Sequence, residues 1–341
     1  MKNITIKDVA NKAGVSVGSV SKVLNNKGYV SKETREKVEM AIEALNYQVN
    51  AAARSLKASR TKKVGMLVSY ISNPYLMSIA KTIEDSLREL GCHLLLMSHN
   101  EDEATERELL QLIMEQRVEA LVLIPTGGNR EMVQTVINQK IPVLLVDKKV
   151  EGVSTDLIVD DNYYGSYESI KYLSSLGHSR IGVIYGVTKN SVGKERLDGA
   201  LDAIKDLECS LDESLVRPGE FDSEKAYKSA TELLLLPNPP TAIYCCNNTM
   251  TTGLIKAIND RGIKIPDDIS IITFGDASQW ELLQPPLTLM TQPLKRIGVE
   301  AAILLKNRIT MKEEYLPKQL IIRPELQIRS SCASPKVEVR D

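Results

Sequence analysis

The sequence predicts an N-terminal all-α helix-turn-helix headpiece followed by an α/β core of two doubly wound parallel-sheet subdomains. Three observations carry this prediction. Residues 1–63 hold 13 Lys and Arg against 5 Asp and Glu, a net of +8, while the remainder holds 30 against 39, a net of −9. Short amphipathic patterns separated by a Gly-containing turn fill the basic head. From Val64 onward, continuous apolar runs alternate with helical patterns, as in parallel sheets covered on both faces.

The whole chain, 341 residues with a formal net charge of −1, looks neutral until it is divided. A basic arm on an acidic body points to a nucleic-acid partner. The length suits two or three domains. No apolar run approaches the roughly 18 residues of a membrane span. The start, "MKNITIKDVANKAG", lacks the apolar segment of a signal peptide, so a cytoplasmic location is expected. The five cysteines show neither C-x-x-C spacing nor a disulfide framework. Cys92, Cys245 and Cys246 stand in apolar runs and read as buried thiols. His93, His99 and His178 lack metal-ligand spacing, so neither a metal nor a cofactor is expected.

In the head, Thr5 can cap a first helix, with Asp8 three residues on as in a capping box. Ile6, Val9, Ala10 and Ala13 then fall on one face, and Gly14 ends the helix. Ser16 caps a second helix whose Val20, Val23 and Leu24 face inward. Its opposite stripe is Gly18, Ser21, Lys22 and Asn25. Gly and Ser are poor choices for an ordinary solvated helix face, but their small size admits a large partner. Ser31 caps a third helix with Val38, Ile42 and Leu45 inward. Helix, short Gly-containing turn and helix is the arrangement whose second helix enters the DNA major groove. An ordinary three-helix bundle with a solvated Lys-rich face is the plainer alternative.

In the core, the expected strands are "KVGMLVS", "CHLLLMS", "EALVLIP", "IPVLLVD", "SRIGVIYG", "TAIYCCN" and "ISIITFG". Stretches such as "SIAKTIEDSLREL" and "ATERELLQLIMEQ" read as the helices between them. Seven or more strands split naturally into two doubly wound halves. Ligands in such sheets bind beyond the carboxyl ends of the strands. Those ends carry Ser69, Asp147, Gly186, Asn247 and Gly275–Asp276, a polar set suited to hydroxyl groups.

The segment "TIKDVANKAGVSVGSVSKVLNNKGYVSKETREKVEMAIEALNY" closely resembles the DNA-binding headpiece of LacI/GalR family regulators. The resemblance continues through "ISNPY", "PVLLVD", "DDNYYG", "LGHSRIGVI", "KERLDGA" and "PPLT", and so spans nearly the whole chain. It implies a headpiece at 1–47, a hinge helix and linker at 48–62, and a periplasmic-binding-protein-like core at 63–341. The N-subdomain would comprise about 63–161 and 293–323, and the C-subdomain about 162–292 and 324–341. By the same resemblance, Val17, Gly18 and Lys22 are the base-reading positions. Lys22 stands where members usually carry Arg, which weakens bidentate readout; it can still donate to guanine O6/N7. Val17 offers only apolar contact. Ser16, Ser19, Ser21 and Asn25 suit phosphate or close-approach contacts, which position without specifying. Asn50, Ala53 and Leu56 fall to the hinge, which folds on the operator with its Leu wedged into the minor groove. Val49 replaces a usual proline there. Read alone, that segment is a plain linker with one stray leucine.

For the core, the resemblance assigns Asn73, Tyr75, Asp147, Arg196, Phe221 and Asn247 to an effector cleft, with Gly275 and Asp276. Arg196 can fork two hydroxyls or an anion, and Phe221 suits a sugar face. Members usually carry Asp-Asp where this chain has "TFGDAS", so Gly275 replaces a carboxylate that grips hydroxyls. A member that senses a sugar phosphate has a similar "TFGD" run. An acidic or phosphorylated effector is therefore expected, with Lys148, Lys149, Lys189 or Lys194 as helpers.

The function expected is a sequence-specific DNA-binding repressor of carbohydrate-utilisation genes, controlled by a small sugar, sugar phosphate or sugar acid. Its partners would be a palindromic double-stranded operator, the effector and a second copy of the chain, with no membrane. The tail "SSCASPKVEVRD" lacks the leucine heptads that would tether dimers into a tetramer. A solute-binding protein would share the core but needs a signal peptide and no basic head. No G-x-S-x-G, Walker or post-strand G-x-G-x-x-G sequence supports an enzyme, so no catalytic residue is assigned.

Overall fold

The computed structural model describes residues 4–25, 28–47, 61–209, 212–310 and 316–336, without the side chain of Asn25. The chain falls into two compact units, Met1–Thr61 and Lys62–Asp341. The hinge residues Asn50, Ala53 and Leu56, with Val49, lie outside the described residues.

The first unit holds α1 (Ile6–Ala13), α2 (Val17–Asn25) and α3 (Lys32–Ala44). Thr5 and Asp8 form the expected capping box: the Asp8 carboxylate accepts from the Thr5 amide at 2.7 Å. Gly14 closes α1 in the left-handed conformation at φ 67°, the geometry that a residue without Cβ adopts freely. Ser31 caps α3 through the Thr34 amide. Val9, Ala10, Val20, Val23, Val38 and Ala41 make the buried core, while Ile6, Ala13, Leu24, Ile42 and Leu45 pack half-buried around it.

The second unit has two six-stranded sheets. The first is built from β1 (Lys63–Val68), β2 (His93–Ser98), β3 (Ala120–Leu123), β4 (Val143–Val146), β5 (Asp156–Asp160) and β11 (Gln319–Ile322). Its order is β11-β5-β4-β3-β1-β2, all parallel. The second contains β6 (Ile181–Tyr185), β7 (Val216–Pro218), β8 (Ala242–Cys245), β9 (Ser270–Gly275), β10 (Thr288–Thr291) and β12 (Glu325–Gln327). Its order is β12-β10-β9-β8-β6-β7, parallel except where β12 runs against β10. Central strands such as β3 and β8 are buried along their whole length, hence their unbroken apolar runs.

Helices α4 (Pro74–Glu89), α5 (Glu103–Glu115), α6 (Arg130–Asn138) and α11 (Leu294–Thr310) accompany the first sheet. Helices α7 (Asn162–Ser175), α8 (Ser191–Asp206), α9 (Ser223–Leu234) and α10 (Asn248–Asn259) accompany the second. Among the described residues the chain passes between the sheets three times: after β5 at Asp161, after β10 at Gln292, and between β11 and β12 at Arg323. These crossings bring carboxyl ends of both sheets toward one cleft.

All seven expected strands are present, and five more carry apolar runs too short to stand out. β5 is bracketed by aspartates, β7 is three residues ending in Pro218, and β10, β11 and β12 have only three or four residues. Cys92, Cys245 and Cys246 are buried thiols as read. Of the histidines, His93 is exposed and His99 and His178 are buried; His178 sits between the hydroxyls of Thr241 and Ser270.

Candidate functional site

On the head, α2 presents Val17, Gly18 and Lys22 to solvent. Ser16 accepts the Ser19 amide at 3.1 Å, and their hydroxyls lie 3.0 Å apart, so this pair fixes the start of the helix. A β-carbon at Gly18 would meet only the Ser16 hydroxyl, at an ordinary 3.6 Å. Internal packing therefore does not demand glycine, and alanine would favour the helix by about 1 kcal/mol. The small residue faces outward. Lys22 is exposed and makes no hydrogen bond or ion pair among the described residues. Ser21 is half-buried at the edge of this face. Sequence reasoning missed Tyr29, 91 % exposed in the turn after α2 and next to Gly28 at φ 77°. An aromatic outside every helical apolar face was the available signal.

In the core, the cleft is built around Tyr75 on α4. Its hydroxyl faces two carboxylates, Asp147 Oδ1 at 3.2 Å and Asp160 Oδ2 at 3.3 Å. Burial, then the two aspartates, hold the Tyr75 phenol protonated far above its ordinary range. Asp147 follows β4 with a left-handed backbone at φ 69°, a conformation uncommon for a residue with a side chain and frequent at functional sites. Burial raises its carboxyl, against the pull of Lys148 and Arg196. Asp160, at the end of β5, accepts from Gln292 Nε2 at 2.5 Å, and burial pushes its carboxyl up to about 6. Among the described residues its Oδ1 is enclosed and has no hydrogen-bond partner, a buried unmet acceptor of a kind rare in folded proteins.

Arg196 enters from α8. Nε donates to Asn162 Oδ1 at 2.8 Å, Nη1 donates to the Cys246 carbonyl at 2.6 Å, and the guanidinium lies 3.7 Å from the centre of the Phe274 ring. These contacts lock its plane; Nη2 donates to nothing among the described residues. Phe221 also has a left-handed backbone, φ 59°. Its ring lies on Gly186, where a β-carbon would come within 2.1 Å. The glycine just after β6 makes room for the aromatic.

Other expected site residues have spent their side chains on local structure. Asn73 caps α4 through the Tyr75 amide, Asn247 caps α10 through the Met250 amide, and Asp276 binds the Ser278 amide and hydroxyl. Gly275 has φ 153°, and a β-carbon there would stand 2.2 Å from Asn248 Oδ1. That oxygen accepts from the Trp280 indole at 2.8 Å. Residue 275 is thus a glycine because the Asn248 amide, held by the Trp280 indole, occupies its side-chain space. Of the four lysines expected as anion helpers, Lys148 pairs with Glu101, Lys149 with Glu195 and Lys194 with Asp198. Those three are not open cations. Asp160, Gln292, Asn162 and Trp280 were missed as site residues. The doubled aspartate of "VDDNYY" and the chain's single tryptophan were the signals that could have found two of them.

Residues 5–50 match the family described as "Bacterial regulatory proteins, lacI family", and residues 170–332 match "Periplasmic binding protein-like domain". The HTH-type transcriptional repressor PurR of Haemophilus influenzae (strain ATCC 51907 / DSM 11121 / KW20 / Rd) is 34% identical over 97% of this chain and 99% of its own length. Among solved structures, the complex of the transcriptional regulator CelR with cellobiose is 27% identical, with a TM-score of 0.72 over 96% of this chain and 99% of that one. The Lac repressor dimer bound to operator and the anti-inducer ONPF shares the fold, with a TM-score of 0.83 at 23% identity over 97% of this chain and 100% of that one.

Proposed function

This chain belongs to the lacI family of bacterial regulatory proteins, and from that premise we propose that it represses carbohydrate-utilisation genes under control of a hydroxyl-rich effector held between its two sheets. As a transcriptional repressor of this family, it has a DNA-binding headpiece and a ligand-binding core. The observation that carries the finer reading is the cluster of Tyr75, Asp147, Asp160 and Arg196. Two desolvated carboxylates, one with an unmet acceptor, call for hydroxyl donors. The locked guanidinium supplies donors in return, and Phe221 offers an aromatic face. That CelR, a relative at 27% identity, is complexed with cellobiose agrees with this class.

The cleft sets two carboxylates against one guanidinium, and three of the four nearby lysines are already paired. This balance favours a neutral sugar over the acidic or phosphorylated one expected from Gly275. Calorimetric titration with matched pairs, each sugar against its phosphate and its acid, tests the choice. Tightest binding by a neutral sugar is the result expected; a phosphate or sugar acid that binds more tightly than every neutral partner reverses it.

On DNA, we assign base reading to Lys22 and Val17, close approach to Gly18, and backbone contacts to Ser16, Ser19, Ser21, Asn25 and the Tyr29 hydroxyl. Asn50, Ala53 and the Leu56 wedge complete the proposal for the hinge. One such helix buries little surface, and two-fold proteins read two-fold sites, so the proposed working unit is a cytoplasmic homodimer on a palindrome.

A further inference from the structure

The loop after β4 places three consecutive side chains in three directions. Asp147 faces the cleft, and Lys148 is buried against Glu101 of the same half. Lys149 crosses to the other half, where its Nζ donates to Glu195 Oε1 at 2.6 Å and its backbone amide donates to Ser191 Oγ at 3.2 Å. Ser191 opens α8, and Glu195 lies one turn further along the same helix face. The neighbour of Glu195 is Arg196, the guanidinium of the cleft. Among the described residues, both of these ties between the halves lie away from the crossovers; others, such as Gln292 to Asp160 and the Arg323 guanidinium over the Tyr164 ring, sit on the crossovers themselves.

We propose that Lys149, Glu195 and Ser191 form a latch that holds the two halves closed in the free protein and so sets how much of it is competent to grip an effector. The proposal rests on the cleft being the effector site. Its reasoning is mechanical. Crossover segments constrain where the halves hinge but leave the degree of opening free. A tie from the β4 loop to the start of α8 restrains opening directly, and it carries Asp147 and Arg196, one residue from each half, on its two sides. Lys149 and Glu195 are 40% and 28% exposed. A pair that wet is weak and salt-sensitive, which suits a restraint that must yield. Because apparent affinity scales with the closed fraction, the latch tunes effector response without touching the effector.

The test needs no effector. Spin labels at Ser72→Cys on the first half and Glu224→Cys on the second, in a Cys332→Ser background, report the separation of the halves by pulsed electron resonance. Lys149→Gln and Glu195→Gln should each raise the open-to-closed ratio by about two- to fivefold, the range that exposed ion pairs supply. The swap Lys149→Glu with Glu195→Lys should restore the unsubstituted distribution, and 0.5 M NaCl should move the latched protein the same way as the single variants. Distance distributions unchanged in both single variants, with unfolding midpoints unaltered, overturn the latch. So does a swap that stays as open as the singles. Either result leaves the effector reading standing, since no ligand enters the measurement.

Discussion

Arg308 donates to Asp156 twice, Nε to Oδ2 at 2.7 Å and Nη2 to Oδ1 at 2.9 Å, across 152 positions of chain. Both side chains are almost wholly buried. Asp156 Oδ1 also accepts the Lys318 amide at 2.8 Å, and Arg308 reaches the Leu316 carbonyl. One carboxylate thus fastens α11 and β11, the two elements that return from the second sheet, onto β5 of the first.

Removing one partner strands a buried charge. Arg308→Met should lower unfolding stability by about 3–5 kcal/mol, while the double variant with Asp156→Leu should recover part of that loss. Urea titration of the full chain measures both. A single-variant cost below about 1 kcal/mol would show the pair to be dispensable.

Asp160 gives the fold a pH dependence of definite sign. Its carboxyl stands at about 6 in the folded protein, against an ordinary value of 3.8. The folded state therefore holds the proton more tightly than the unfolded one. The resulting contribution to stability is fully present below pH 4 and is lost as pH rises through 6. Asp160→Asn, which keeps an acceptor for Gln292 and Tyr75, should flatten the stability profile between pH 4 and 7. Identical slopes in thermal melts of the two proteins would contradict the assignment.

Gly18→Ala separates folding from recognition. The substitution should stabilise the headpiece by about 0.5–1 kcal/mol, because a β-carbon there meets only the Ser16 hydroxyl. It should weaken binding to the selected operator at the same time, by crowding the face proposed to approach DNA. Melting of the headpiece and anisotropy titration read the two effects. An alanine variant that binds its operator unchanged would remove the close-approach role.

Lys22→Ala should cost about 1–3 kcal/mol of discrimination at the bases it is proposed to read. Titration against operators altered one base pair at a time checks this. Equal weakening on every sequence would make Lys22 a phosphate contact instead.

Gly275→Ala should destabilise the second unit by about 1–3 kcal/mol, the cost of a strained backbone. The β-carbon would also press on Asn248. Adding Asn248→Ala should relieve the crowding and leave the backbone strain. Thermal unfolding that shows no loss in Gly275→Ala would contradict both.

Most strands that sequence patterning finds are buried along their length, where packing writes a long apolar run; β2 is a half-buried edge strand whose residues 94–97 still form one, while buried β5 has its run cut to three residues by Asp156 and Asp160. Strands such as β7 and β12 are short and lie at sheet edges, so nothing requires them to be apolar. The headpiece is legible almost residue by residue because caps and apolar spacing are local signals. The cleft is less so. Asp160 meets Gln292 across 132 positions, and no local pattern encodes a pair that forms only once two crossovers are in place. Gly275 shows the opposite limit. Its missing carboxylate reads as a lost ligand, whereas its backbone and the Asn248–Trp280 pair give it a local reason to be glycine.

Sequence-specific DNA recognition through α2 by a two-fold protein is the proposal on which the others depend. Its most direct test is selection of duplexes from a randomised pool with the purified full chain. The affinity of the enriched site is then compared with that of an unrelated duplex at 150 mM salt. A palindromic site bound at least about 10³-fold more tightly than the unrelated duplex is expected. Failure to enrich any sequence, or a ratio within about tenfold of unity, would contradict it.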